Sequence, residues 1–132
     1  MITLDTSGLY AYLNRRDASY PTATAILAAE PRPHLVPAAV LGELAYFIER
    51  RSTPAVLDRF LADLETQRFV LDCSDRDMPR IRQLVRRYAD LELGLVDAAV
   101  IACAERNGGR VLTFDLRLFG VVAREGTITI VP

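Results

Sequence analysis

Four acidic residues spread along the chain carry the first chemical signal. Asp97 is the only charged residue between Leu93 and Ala104. Its neighbours three and four places on are Val100 and Ile101, so no cation at helical spacing can pair with it. A half-buried carboxylate is costly unless something neutralises it. A structural role is also open, since an acid near a helix start can cap it or favour its dipole. Glu43 poses a similar question. It borders an apolar face of Val40, Leu41, Leu44, Phe47 and Ile48, with no local cation. Taken alone it also reads as a rim residue, while Glu49 falls on the polar face. Asp5 follows the apolar run Ile2-Thr3-Leu4, and Asp115 follows Val111–Phe114. If both runs are strands of one parallel sheet, these two acids stand at the same edge, where such sheets build their sites. Four carboxylates there would repel one another and raise one another's pKa. An oxygen-only donor set suits Mg²⁺ or Mn²⁺ rather than zinc. The chemistry that follows is hydrolysis of a phosphodiester.

The elements that must position these acids are legible from periodicity. Short strands are predicted at Ile2–Leu4, Leu35-Val36, Phe69–Leu71, Val111–Phe114 and Thr127–Val131. Helical spacing runs through Leu9, Tyr12 and Leu13, and again from Thr22 to Ala29. Pro37 is expected to open a helix reaching about Arg51. Thr53-Pro54 reads as a cap and first position, followed by Val56, Leu57, Phe60, Leu61 and Leu64 as a candidate core stripe. Ser74 or Asp75 is expected to cap a helix carrying Ile81, Leu84, Val85 and Tyr88. The helix bearing Asp97 spans about Val96 to Asn107 and stops at Gly108-Gly109. Leu91–Gly94 reads as a loop of functional interest. Strands alternating with helices predict an α/β fold with a mainly parallel sheet covered on both faces. The length of 132 residues suits a single domain over 1–132.

Several stretches together resemble the PIN-domain family, and within it the VapC ribonuclease toxins of type II toxin–antitoxin (VapBC) systems. They are MITLDTSGLYAYLNRRD, VPAAVLGELAYFIERR, LELGLVDAAVIACAERNGGRVLTFDLRLFG and TITIVP. They cover nearly the whole chain in the family's order. The family's first acid falls on Asp5, its helical glutamate on Glu43, its third acid on Asp97 and its last on Asp115. Thr113 is the companion hydroxyl in the L-T-x-D pattern. The resemblance implies a three-layer α/β/α domain with about four to five strands. It implies a Mg²⁺- or Mn²⁺-dependent endoribonuclease acting on structured RNA such as tRNA or rRNA, neutralised by a cognate VapB-type antitoxin. It implies a homodimer. Asp5 and Asp97 would be the primary metal ligands, with Glu43 and Asp115 completing the pocket. Thr6, Ser7 and Thr113 would orient carboxylates or phosphate as hydroxyl donors.

Composition sets limits on this reading. All 16 cationic side chains are arginine. Schiff-base and phosphate-cradling lysines are therefore excluded, and so is the P-loop. An aspartyl-phosphate phosphatase would also need a second aspartate where Ser7 stands. The lone His34, between Pro33 and Leu35, is a weak triad candidate. Cys73 and Cys103 lie in apolar contexts and read as two buried free thiols of a reducing cytoplasm. No apolar run is long enough to span a membrane, and Met1–Asp5 does not read as a signal peptide.

The net charge of −1 is unlike a typical nucleic-acid binder. The acidic pocket accounts for four of the negative charges, and two divalent ions would cancel them. Arg76, Arg80 and Arg87 share one side of a helix, and Arg82 and Arg86 another. They read first as a solvated face with stems over apolar surface, and second as phosphate contacts. Arg15, Arg16 and Arg117 fall nearer the expected catalytic edge and are candidates for RNA or antitoxin contact. Two other readings compete: a catalytically inert PIN-like module that binds RNA or protein, and a helix-rich scaffold whose acids are incidental.

Overall fold

A computed structural model describes all residues 1–132. Five strands form one sheet: β1 (Ile2–Leu4), β2 (His34–Pro37), β3 (Phe69–Asp72), β4 (Arg110–Leu112) and β5 (Thr129–Val131). Their order is β3-β2-β1-β4-β5, and every pairing is parallel. Seven helices cover the sheet: α1 (Thr6–Leu13), α2 (Tyr20–Ala29), α3 (Val40–Arg51), α4 (Pro54–Glu65), α5 (Met78–Arg87), α6 (Leu95–Arg106) and α7 (Leu116–Ala123). This is the predicted three-layer α/β/α arrangement.

The chain moves outward from β1 to β2 and β3, then returns to lay β4 on the other side of β1. The strand order therefore reverses between β1 and β4. At such a switch point successive crossovers diverge to opposite faces and leave a crevice at the strands' C-terminal ends. The central strand is sealed: Ile2, Thr3 and Leu4 are all buried. α6 packs across β1, β2 and β4, and its residues Ala98 and Val100 to Ala104 are buried. Its small side chains let the helix lie close to the strands. α3 packs on β2 and α4 on β3.

Glycine is required where elements close up. A Cβ at Gly8 would stand 2.5 Å from the Leu112 carbonyl oxygen and 2.7 Å from Leu112 Cγ. The bare backbone lets α1 press against the end of β4. At the end of α6, Gly109 has φ +84°, and its N–H donates to the Ala104 carbonyl at 2.7 Å.

Several expectations are corrected. Pro37 ends β2 rather than opening a helix. It sits opposite Asp72, and Ala38 N–H continues the ladder to the Asp72 carbonyl at 2.8 Å. A proline is tolerated at that strand end because the next residue supplies the donor. The helix with Ile81 and Leu84 begins at Met78, after a 3₁₀ turn over Asp75–Asp77. β4 ends at Leu112, because Phe114 N–H and Asp115 N–H bond to the hydroxyls of Ser7 and Thr113 instead of a strand. β5 begins at Thr129 rather than Thr127. Helix α7 has no counterpart among the elements expected from the sequence. It buries Leu118, Phe119 and Val122, and Asp115 caps it by accepting Leu118 N–H at 3.4 Å.

Of the α4 stripe, Phe60 is buried and Leu57 and Leu64 are half-buried, while Leu61 is 51% exposed. Cys103 is buried but Cys73 is exposed. Cys73 directly follows the edge strand β3, whose Leu71 is exposed too, beyond the cover of the helices. His34 is buried at the start of β2, at the edge of the sheet opposite the acids. The arginine side of α5 is largely structural. Arg80 holds Glu105 with two bonds of 2.8 and 2.9 Å and also reaches Glu125, which Arg87 and the Tyr88 hydroxyl share. No helix is long and apolar enough to cross a membrane.

Candidate active site

The crevice at the switch point is a pocket of about 380 Å³. Asp5, Glu43, Asp97 and Asp115 all line it. Asp5 arrives from the end of β1, Glu43 from the first turn of α3, Asp97 from the first turn of α6 and Asp115 from the cap of α7. Residues far apart in sequence thus meet because four elements end at one edge of the sheet.

Asp5 is the fixed member, with 4% of its surface exposed. Its Oδ2 accepts the hydroxyls of Thr113 at 2.8 Å and Ser7 at 2.9 Å. Those two hydroxyls lie 3.2 Å apart. Each also accepts a backbone N–H, Ser7 from Phe114 at 3.0 Å and Thr113 from Asp115 at 3.0 Å. The network locks the carboxylate's orientation and leaves Oδ1 outside it. Burial pushes the Asp5 pKa up, the hydrogen bonds oppose the rise, and the Glu43 charge adds to it.

Asp97 is half-buried, and its pKa is raised to about 6. Burial is the main cause; the charge of Asp5 is the next. The charges of Asp115 and Glu43 push the same way, and the Gly94 N–H opposes them through a 3.4 Å bond to Asp97 Oδ2. Both readings of Asp97 are therefore realised: it takes an N-terminal amide of α6, and it faces uncompensated acids. Glu43 stands exposed at the rim.

The hydroxyls divide. Ser7 and Thr113 bind Asp5, whereas the Thr6 hydroxyl is buried without any hydrogen-bond partner, although Thr6 lines the pocket. Arg15 and Arg16 line an adjoining groove. Arg117 lines neither cavity and donates to the Leu91 carbonyl at 3.5 Å. Sequence reasoning missed Asp17, Tyr10, Phe47 and Arg51, which also line the pocket. Asp17 accepts Ser19 N–H at 2.8 Å and so shapes the entry to α2. An Asp two residues before Ser is an ordinary turn signal, so no sequence feature marked it as part of the pocket.

The residues fit a divalent cation by their chemistry. Five carboxylates and one arginine line the pocket. Burial, with the charges of Asp5, Asp115 and Glu43, raises the pKa of Asp97. No three of the acids stand about one point as ready-made ligands. Asp115 also caps α7.

A parallel α/β domain with an oxygen-only acidic pocket at its switch point is thus defined. A family model described as PIN domain matches residues 2–125. The chain belongs to the PIN-domain family. It is 26% identical over 133 residues to Ribonuclease VapC26 of Mycobacterium tuberculosis, covering 98% of both chains. Its fold is similar to the crystal structure of VapC20 from Mycobacterium tuberculosis, a sarcin–ricin loop cleaving toxin. That match has a TM-score of 0.78, 24% identity and full coverage of both chains. FitAcB from Neisseria gonorrhoeae matches with a TM-score of 0.68 and 17% identity, over 100% of this chain and 97% of the other. VapBC2 from Rickettsia felis, bound to a DNA fragment from its promoter, matches with 0.69 and 20% identity, over 98% and 97%.

Proposed function

We propose that this chain is a VapC-type toxin, a cytoplasmic, metal-dependent endoribonuclease that cuts structured RNA and is neutralised by a cognate VapB-type antitoxin. The observation that carries the reading is the pairing of a locked Asp5 with an Asp97 whose pKa is pushed to about 6 by burial and by the other acids. Such mutual repulsion is a standing cost to the fold, and a divalent cation relieves it. The ribonuclease name of the similar VapC26 supports RNA as the substrate. The VapBC2 complex supports an antitoxin partner. Family resemblance further supports a homodimer.

When bound, Mg²⁺ or Mn²⁺ supplies Lewis-acid charge at the phosphate and makes water easier to deprotonate. Asp5 and Asp97 would hold the ion. Ser7 and Thr113 keep Asp5 in a single orientation, so ligation does not require it to be ordered afresh. Glu43, exposed at the rim, and Asp115 would bind through water or hold a second ion, and one of them would take the proton of the attacking water.

The test is cleavage of total cellular RNA by the purified chain with Mg²⁺ or Mn²⁺, with EDTA and with Asp97→Asn, mapped by end-sequencing. A discrete cut that needs both metal and Asp97 is expected. Cleavage that persists in EDTA or in Asp97→Asn would overturn the assignment. No cut and no Mn²⁺ binding would move the chain to the inert binding module.

A further inference from the structure

Next to the acidic pocket lies a groove of about 270 Å³ with the opposite character. Arg15, Arg16, Arg51 and Arg59 line it, together with Ser52 and Thr53, and no carboxylate does. Arg51 lines both cavities. Its guanidinium carbon sits 5.0 Å from the ring centre of Phe47, which is itself a wall of the acidic pocket. The two cavities therefore adjoin at one residue and differ in sign.

The charge in the groove is uncompensated. Arg80, Arg87, Arg106 and Arg110 are each ion-paired to a carboxylate, and none of the four groove arginines is. Arg59 is held in place by donating to the Leu13 carbonyl at 3.2 Å. Thr53 occupies the cap position of α4, yet its hydroxyl makes no capping bond, so the positive end of a 12-residue helix adds to the same wall. Four guanidinium groups that repel one another are stabilised by an anion, and their forked donors match phosphate oxygens.

We infer that this groove binds the phosphates next to the scissile one, so that a single RNA strand runs from Arg15 and Arg16 past Arg51 into the carboxylates. The inference rests on the ribonuclease reading and goes beyond it by assigning the path of the strand and the residues that hold it. A phosphodiester backbone fits because its charges recur along one chain, as the arginines recur along one groove. An acidic protein segment has no use for the adjoining pocket, whereas a divalent cation held by its carboxylates would draw a phosphate into it.

The test is fluorescence anisotropy of a short, labelled single-stranded 2′-O-methyl oligoribonucleotide, titrated over a salt series in EDTA. Combined Arg15→Ala and Arg16→Ala, both at exposed positions, should weaken binding about tenfold at about 0.15 M salt and lower the salt slope by about 1.4, that is about 0.7 for each phosphate no longer neutralised. Combined Arg82→Ala and Arg86→Ala, on the exposed side of α5, should leave both unchanged. An unchanged affinity and slope in the groove variant would overturn the inference, as would a larger loss in the α5 variant. If the groove variant loses a poly-glutamate peptide but keeps the oligoribonucleotide, the groove serves an acidic protein and the inference is overturned. If the unaltered chain cuts no RNA while the groove variant still loses the oligoribonucleotide, the ribonuclease reading fails and the strand-binding groove stands.

Discussion

Thr113 donates its hydroxyl to Oδ2 of Asp5 at 2.8 Å, across 108 positions of sequence. The bond joins the ends of β1 and β4, the two strands between which the strand order reverses. Thr113 takes Asp115 N–H in turn, so one hydroxyl sets the position of two acids.

Replacing Thr113 with Val keeps its shape and removes this link. Ser7 still donates to Asp5, so the fold should persist. Loss of a partner that orients a metal ligand typically costs about 10–100-fold in activity or metal affinity. RNA cleavage and Mn²⁺ titration on Thr113→Val should both fall within that range. Cleavage at the unaltered rate would remove Thr113 from the site.

Asp97 links the site to pH. Its folded pKa of about 6 lies above the ordinary 3.8, so between those values the folded state holds a proton that the unfolded state has released. The stability from this group is complete below about 3.8 and is lost as pH rises through about 6. Metal-free melting temperatures followed from about pH 4 to about pH 7 should show this decline, and Asp97→Asn should flatten it. Mn²⁺ affinity should move the other way, rising through about pH 6 as the ligand ionises.

The same substitution separates function from stability. At neutral pH in EDTA, Asp97→Asn removes an uncompensated charge and should raise the melting temperature by about 4 °C, or ~1 kcal/mol. It should abolish metal-dependent cleavage. A variant that gains stability and keeps full cleavage would mark Asp97 as incidental.

Divalent metal should stabilise the native chain. Mn²⁺ at about 100 times its Kd should add about 2.7 kcal/mol, seen as a higher melting temperature that EDTA reverses. Asp5→Asn should abolish most of that rise. An equal rise in Asp5→Asn would place the ion elsewhere.

Gly8 tests the packing behind the site. A methyl group there meets the Leu112 backbone oxygen, which has no freedom to turn away. Gly8→Ala should cost about 1–3 kcal/mol in denaturant unfolding and push α1 off the end of β4, separating Ser7 from Thr113. Cleavage should fall with stability. A variant as stable and active as the parent would show that the backbone there relaxes freely.

Much of this protein is determined locally. Alternating periodicity is enough to recover the α/β class and most helices, because a 3-to-4-residue spacing and a short apolar run are properties of neighbouring residues. Asp5 and Asp115 are legible as well, since acids at the ends of parallel strands share an edge by geometry, whereas Glu43 alone reads as a rim residue. Asp97 stands out because nothing within helical reach can neutralise it. Other features depend on residues distant in the chain. Pro37 completes a strand because Asp72 lies opposite. β4 stops early in part because the hydroxyl of Ser7, 107 positions away, takes the Phe114 amide. Arg80 is spoken for by Glu105 and Glu125, whereas Arg51 is left free beside a pocket. No pattern within their own helices distinguishes those two arginines. Periodicity states which face a residue occupies, but the charge or backbone opposite that face comes from another part of the chain, and only the packed structure brings the two together.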